Sequence, residues 1–299
     1  MTATTVGTYI PALDSAAPGP HIGDFVWFGF REVFVGQPVF VALLDKLGLD
    51  PRTAPAAPSP ETAFKRAVQH TASSALCKGY LLREIDNTGA ELVIAVVEET
   101  KLRQQRDLRF ATVDTVTFDK INRTRRTRSA NDHPVSSSVE AWFVAFNGAL
   151  TADDVRGWLQ KRLGDLMAVP LRENGGVYWV PSIYASTVRM LAQVIGSLGR
   201  SAMSVVPQFD GAEARDSIGG AARETLVDEL EVLAGEIAAF DAKTRGATMR
   251  RRLETFDALR NRADIYARMV GCAVDDLKEL VTAQEAKIMA LLTATTSEG

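Results

Sequence analysis

Apolar positions along the chain change their period several times, and each change marks an element. DFVWFGF (24–30) has the composition of a strand. Phe40, Leu43, Leu44 and Leu47 then recur at helical spacing, with Pro38 suited to a first helical position and Gly48 to a C-terminal cap, so a helix is predicted over 37–48. The proline-rich stretch 51–60 is a stiff connector. Ser59, Pro60 and Glu61 supply cap, first turn and dipole-complementing acid for a helix over 60–75, whose apolar face carries Phe64, Ala67, Val68 and Thr71. GYLLREIDNTGAELVIAVVEETK places β-branched and aromatic runs on either side of Asp86-Asn87-Thr88-Gly89, a hairpin signature. DLRFATVDTVTF predicts a third strand with Phe110, Thr112, Asp114, Val116 and Phe118 on one side. SVEAWFVAF (138–146) predicts a fourth.

Thr151 and Asp154 form a capping box ahead of Val155, Trp158, Leu159, Leu163 and Leu166, predicting a helix over 152–168. A short hairpin is expected around Asn174-Gly175-Gly176, a helix over 182–198, and an edge strand in SAMSVVPQF, which contains Pro207. After Asp210 the period changes again. Leu226, Leu230, Leu233, Ile237 and Phe240 are spaced 4, 3, 4, 3, a heptad seam, and two less regular seams follow. These predict two or three antiparallel helices over 212–294. The fold class is therefore α+β: a mixed, mainly antiparallel sheet with packed helices (23–210), then a coiled-coil-like helical hairpin or three-helix bundle (211–299). Residues 1–22, rich in Thr, Ala, Pro and Gly, read as a flexible tail.

Composition adds mainly exclusions. The chain has 299 residues, 46% apolar and 24% charged, with a formal net charge of −3, so no global field draws it to nucleic acid or membrane. Cys77 and Cys272 are far apart, and His21, His70 and His133 are scattered, which argues against a disulfide framework or a zinc site. The longest apolar run, Leu92 to Val97, is far short of a membrane span, and the N-terminus lacks a signal peptide's features. A cytoplasmic protein without membrane contact is expected.

Local charge changes the picture. Residues 101–128 hold nine basic residues against three acidic ones, densest at NRTRRTR. A basic hairpin loop there would place Lys120, Arg123, Arg125, Arg126 and Arg128 along nucleic-acid phosphates. No Phe, Tyr or Trp lies within 119–137 to stack on bases, which argues against single-strand readout. A solvated loop, or one facing an acidic protein surface, is the competing reading. Residues 211–240 hold seven acids and two bases, and residues 243–262 the reverse, so the two arms would neutralise each other if they fold back antiparallel. Arg250, Arg251 and Arg252 facing outward as a second phosphate patch is the rival.

No nucleotide-binding glycine loop, nucleophile elbow or HExxH is present. Asp86 at one strand end, with Glu99 and Lys101 on one face of the next, is similar in outline to the nuclease core in which an Asp precedes an E-x-K strand. That resemblance implies Mg²⁺-dependent phosphodiester cleavage by Asp86, Glu99 and Lys101, with Glu61 as a further ligand. Equally, Asp86 is favoured in a turn for backbone reasons alone. The Trp27, Phe28, Phe30 cluster and Tyr178-Trp179 read as core.

WFGFREV, PETAFKRAV, GGVYWVP and ALRNRADIYARMVG together resemble a family of phage and actinobacterial-plasmid proteins of unknown function. The resemblance covers most of the chain and implies a mobile-element accessory protein, with no catalytic residue or cofactor carried over. The leading expectation is a non-enzymatic protein that binds DNA or RNA electrostatically through the basic loop. A protein-interaction or self-assembly module using Leu226, Leu230, Leu233, Ile237 and Phe240 is the second, and the Mg²⁺-dependent nuclease the third.

Overall fold

The computed structural model describes residues 19–101, 108–122, 128–172, 176–240 and 246–271, with six further helical positions between 279 and 290. The fold is α+β, as the pattern predicts. Its contacts divide the chain into two compact units: Met1–Trp27, Leu163–Val188 and Ser204–Gly299 form one, and Phe28–Arg162 with Arg189–Met203 the other. Within the first of these units the C-terminal helices share an apolar core with strands from both ends of the α+β region.

That first unit holds a sheet of order β10-β1-β9-β8, from strands β1 (His21–Gly29), β8 (Val169–Pro170), β9 (Val177–Pro181) and β10 (Ala202–Phe209). Strand β10, with its proline, occupies an edge as expected. Helices α6 (Ala212–Ala238) and α7 (Gly246–Val270) complete the unit. Ile22, Val169 and Trp179 of the sheet are buried in one cluster with Ile218, Leu226, Leu230, Leu233 and Ile237 of α6 and Met249, Phe256 and Tyr266 of α7. The Tyr266 hydroxyl donates to the Met167 carbonyl at 2.9 Å. Burial pushes its pKa up, further than the neighbouring Arg262 guanidinium lowers it. A third C-terminal helix lies outside the described residues apart from the six positions above.

In the second unit a meander of order β3-β4-β5-β6 is built from β3 (Tyr80–Asn87), β4 (Glu91–Lys101), β5 (Leu108–Asp119) and β6 (Arg128–Ser129), every pairing antiparallel. Helices α2 (Pro60–Ala72) and α3 (Pro134–Phe146) cover one face. Ala63, Phe64 and Ala67 meet Leu92, Ile94, Val116 and Phe118 of the sheet and Val139, Phe143 and Phe146 of α3. Phe64 and Phe118 stack at 5.4 Å. Helix α2 starts as predicted, with Pro60 in its first turn and the Ser59 side chain accepting from the Thr62 N–H. Helix α1 (Gln37–Lys46) ends at Gly48, whose φ of +75° suits glycine. A two-stranded sheet pairs β2 (Phe34–Gly36) with β7 (Ala149–Thr151), which leads into α4 (Ala152–Asp165). Helix α5 (Ala185–Gly196) buries Val188, Leu191, Val194 and Ile195.

The fourth strand expected at 138–146 is instead α3. Its β-branched and aromatic content mimics a strand, but Val135, Val139, Phe143 and Phe146 are buried at spacings of 4, 4 and 3. Pro134 opens the first turn, and His133 Nδ1 accepts from the Val135 N–H at 3.3 Å. A second correction concerns β5. Val96 pairs with Asp114 but Val97 pairs with Thr112, so a bulge at Val113 reverses the faces. Asp114, Val116 and Phe118 face the helices, whereas Thr112 and Phe110 lie on the opposite, open side.

Candidate nucleic-acid interface

Strand β5 divides the basic stretch 101–128 into two groups at its opposite ends. Lys101, Arg103, Arg106 and Arg109 belong to the β4–β5 end, and Lys120, Arg123, Arg125, Arg126 and Arg128 to the β5–β6 end. Residues 102–107 and 123–127, and with them Arg123, Arg125 and Arg126, lie outside the described residues. Arg128 pairs with Thr117 in the sheet, and its side chain lies outside the described residues.

What holds the β5–β6 end is a carboxylate that sequence reading passed over. Asp114 is 2% exposed, and its oxygens accept from Ser129 Oγ (2.5 Å), Ser136 Oγ (2.6 Å) and the N–H groups of Thr115 (2.8 Å), Asn131 (2.8 Å) and His133 (3.1 Å). Burial alone would raise its pKa. The two hydroxyls and the backbone N–H groups outweigh burial and hold it well below the ordinary carboxylate range. The segment from β6 into α3 is therefore fastened to β5 at one buried anion. On the entry side, Asp119 accepts from the Ile121 and Asn122 N–H groups and from Asn122 Nδ2, which lowers its pKa. Asp119 ahead of the run, and Asp114 on β5, are thus engaged in shaping its ends. The signal for Asp114 was an acid inside a strand, followed by the cap-forming run Ser129, Asn131, Asp132, Ser136.

Lys120 has a different setting from the one its sequence neighbourhood implies. Its side chain is 17% exposed, and Nζ donates to Asn87 Oδ1 (2.5 Å) and the Thr88 carbonyl (3.0 Å), 3.9 Å from Glu61. It fastens the β3–β4 turn to the end of β5. Glu61 is shared with Lys65 at 2.7 Å, whose hydrogen bond lowers the Glu61 pKa.

The nuclease arrangement is not assembled by this register. Asp86 pairs with Val93, whereas the Glu99 N–H donates to Gly79 at the far end of the hairpin. Six positions along β4 separate the two acids, roughly 20 Å at strand rise. Among the described residues no group of three His, Cys, Asp or Glu side chains gathers as a metal site. Lys101 pairs with Leu108, and its side chain lies outside the described residues.

The heptad seam read as a self-association surface is turned inward. Leu226, Leu230, Leu233 and Ile237 are 3–6% exposed within the α6–α7 core, and Phe240 packs beside them. Arg252 pairs with Glu236 at 2.7 Å, and Arg262 donates to Glu229 from both terminal guanidinium nitrogens. The acidic and basic arms therefore pair within one chain. Arg250 and Arg251 remain exposed. A pocket of about 340 Å³ beside α2 is lined by Arg66, His70, Ser73, Phe146, Thr151 and Asp153. Its guanidinium is already held by Asp154 in two bonds of 2.8 and 2.7 Å.

No helix among the described residues is long and apolar enough to cross a membrane. A family model described as a family of unknown function (DUF6744) matches residues 21–297. No curated protein and no solved structure matches the chain.

Proposed function

The chain belongs to this DUF6744 family, and we propose that it is a non-enzymatic binding protein that engages the phosphate backbone of nucleic acid through the β5–β6 end of its second unit. The observation that carries the reading is the fastening of an arginine-rich run at both ends. Asp119 turns the chain on entry, and Asp114 ties the exit to β5 and α3. The carboxylates of Asp119 and Asp114 are both engaged by these hydrogen bonds, so the run that carries Arg123, Arg125, Arg126 and Arg128 is bounded by two fastened ends. Cations presented this way gain by releasing condensed counterions from phosphates. Lys120 contributes its charge from the turn it holds together, and the arginines make the contacts. The resemblance to phage and plasmid proteins supports a mobile-element setting and a cytoplasmic location.

Fluorescence anisotropy with labelled DNA and RNA at two salt concentrations tests the reading. Affinity should fall steeply with salt, and the Arg123/Arg125/Arg126/Arg128→Ala variant should flatten the log–log slope by about 3–4. Absence of binding at low salt would move the search to acidic protein partners of the same loop.

A further inference from the structure

The meander of the second unit has β6 at one edge and β3 at the other. Among the described residues no strand pairs with the outer side of β3, so its outward N–H and C=O groups lack a sheet partner. Pairing with β4 is regular from Tyr80 to Glu84 and then shifts at Ile85, a bulge residue that is 59% exposed. A bulge bends its strand, so the straight edge open to another chain is about five residues long.

A groove of about 260 Å³ lies between this edge and α2. Phe64, Val68 and Gln69 of α2 line one side, Leu82 of β3 the other, and Leu92 and Ile94 of β4 the floor. Register fixes which β3 side chains face it. Leu82 pairs with Val96 and Glu84 with Ile94, and both partners are buried under the helices. A strand added to β3 would send alternate side chains to that same face, over the groove. Unpaired backbone and an apolar recess therefore coincide along one short edge.

Charge at the edge is acidic. Glu84 stands at the groove and accepts from Asn87 Nδ2 (3.0 Å). Lys65, also lining the groove, gives its hydrogen bond to Glu61 (2.7 Å) and acts on Glu84 only through its charge. Arg83, on the opposite face, lies over the Phe110 ring at 5.1 Å. The nearby cations are thus engaged elsewhere, and the exposed Glu84 and Asp86 carboxylates leave a negative potential along the edge.

We propose that the β3 edge and the α2 groove bind an extended peptide segment of a protein partner by strand addition. An apolar side chain enters the groove beside Leu82, and a basic side chain two positions along the same face meets Glu84. Backbone hydrogen bonds to β3 supply affinity, and these two side chains supply selectivity. The surface lies at the opposite edge of the sheet from β6 and does not depend on nucleic-acid binding.

The test is selection on the full chain from a library of displayed random peptides about seven residues long, followed by anisotropy with the enriched peptides. Enriched sequences should carry an apolar and a basic residue two positions apart. N-methylation of the alternate peptide amides that face β3 should weaken binding at least about tenfold, because it removes strand hydrogen bonds and keeps every side chain. Methylation of the other alternate set should change it less than about threefold. Glu84→Lys should shift selection from basic toward acidic residues at the second position. Gln69→Trp, which fills the groove from an exposed position, should weaken every selected peptide at least about tenfold, with an unchanged circular dichroism spectrum. No enrichment, enrichment without the apolar and basic pair, or equal loss from both methylation sets would overturn strand addition at β3.

Discussion

Asp114 on β5 and Ser136 in the first turn of α3 share a 2.6 Å hydrogen bond, with the carboxylate 2% exposed and the serine wholly buried. That bond, with four others to the same carboxylate, joins the open sheet to the helix behind it and fixes where the basic run ends. Replacing Asp114 with Ala leaves two hydroxyls and three N–H groups without their acceptor. Loss of roughly 2–4 kcal/mol is expected, read as a lower urea midpoint.

The same carboxylate sets a pH dependence. Its folded pKa lies below the unfolded value of about 3.9, so its stabilisation is full above that value and is lost as pH falls below it. Acid titration of stability should therefore show a steeper decline below about pH 4 in the wild type than in Asp114→Asn, which has no carboxylate to protonate at this position. Parallel curves would mean that the carboxylate is not held in its charged form.

Arg66 and Asp154 provide an ordered pair of substitutions. Asp154 accepts two bonds from Arg66 and also caps the start of α4 by accepting from the Thr151 N–H (2.8 Å) and Oγ1 (3.0 Å). Arg66→Ala leaves those Thr151 bonds in place and should cost about 1 kcal/mol. Asp154→Ala removes the cap and strands a half-buried guanidinium, and should cost about twice as much. Chemical denaturation of both variants decides the order.

Local chemistry was the legible part of this fold. Ser59-Pro60-Glu61 predicts the start of α2, Gly48 the end of α1, and Asp86-Asn87-Thr88-Gly89 the β3–β4 turn, because each device works within four residues. Helix α3 was missed because its β-branched and aromatic side chains satisfy strand composition, while its 4, 4, 3 spacing shows only when Val135 is counted with the run. The bulge at Val113 moves Thr112 and Phe110 to the open face, and Asp114 finds its partners 15 to 22 residues downstream. Neither follows from a local window. The division into two units likewise depends on Trp179 and Ile22 meeting α6 and α7 across most of the chain.

The inward seam makes a prediction that separates core from association surface. Leu233 is 4% exposed and Val232, its neighbour, 66%. Leu233→Ala should cost roughly 2–5 kcal/mol by leaving a cavity, whereas Val232→Ala should stay within about 0.5. Were the seam a self-association surface, Leu233→Ala would instead change the sedimentation coefficient at unchanged intrinsic stability.

Lys120 and Arg128 are eight residues apart in one basic run, yet the proposed reading gives them different work. Lys120 Nζ is committed to Asn87 and Thr88, whereas Arg128 pairs with Thr117 in the sheet and is read as a phosphate contact. Lys120→Ala should loosen the β3–β4 turn, at a cost of about 1 kcal/mol for a charge-assisted bond that is largely shielded from solvent. At low salt it should leave DNA affinity within about twofold. Arg128→Ala should leave the urea midpoint unchanged and lower the salt slope by about 0.9, the loss of one phosphate contact. Measuring both quantities for both variants gives four results, and a Lys120→Ala protein that is stable but binds DNA poorly would return that lysine to the phosphate interface.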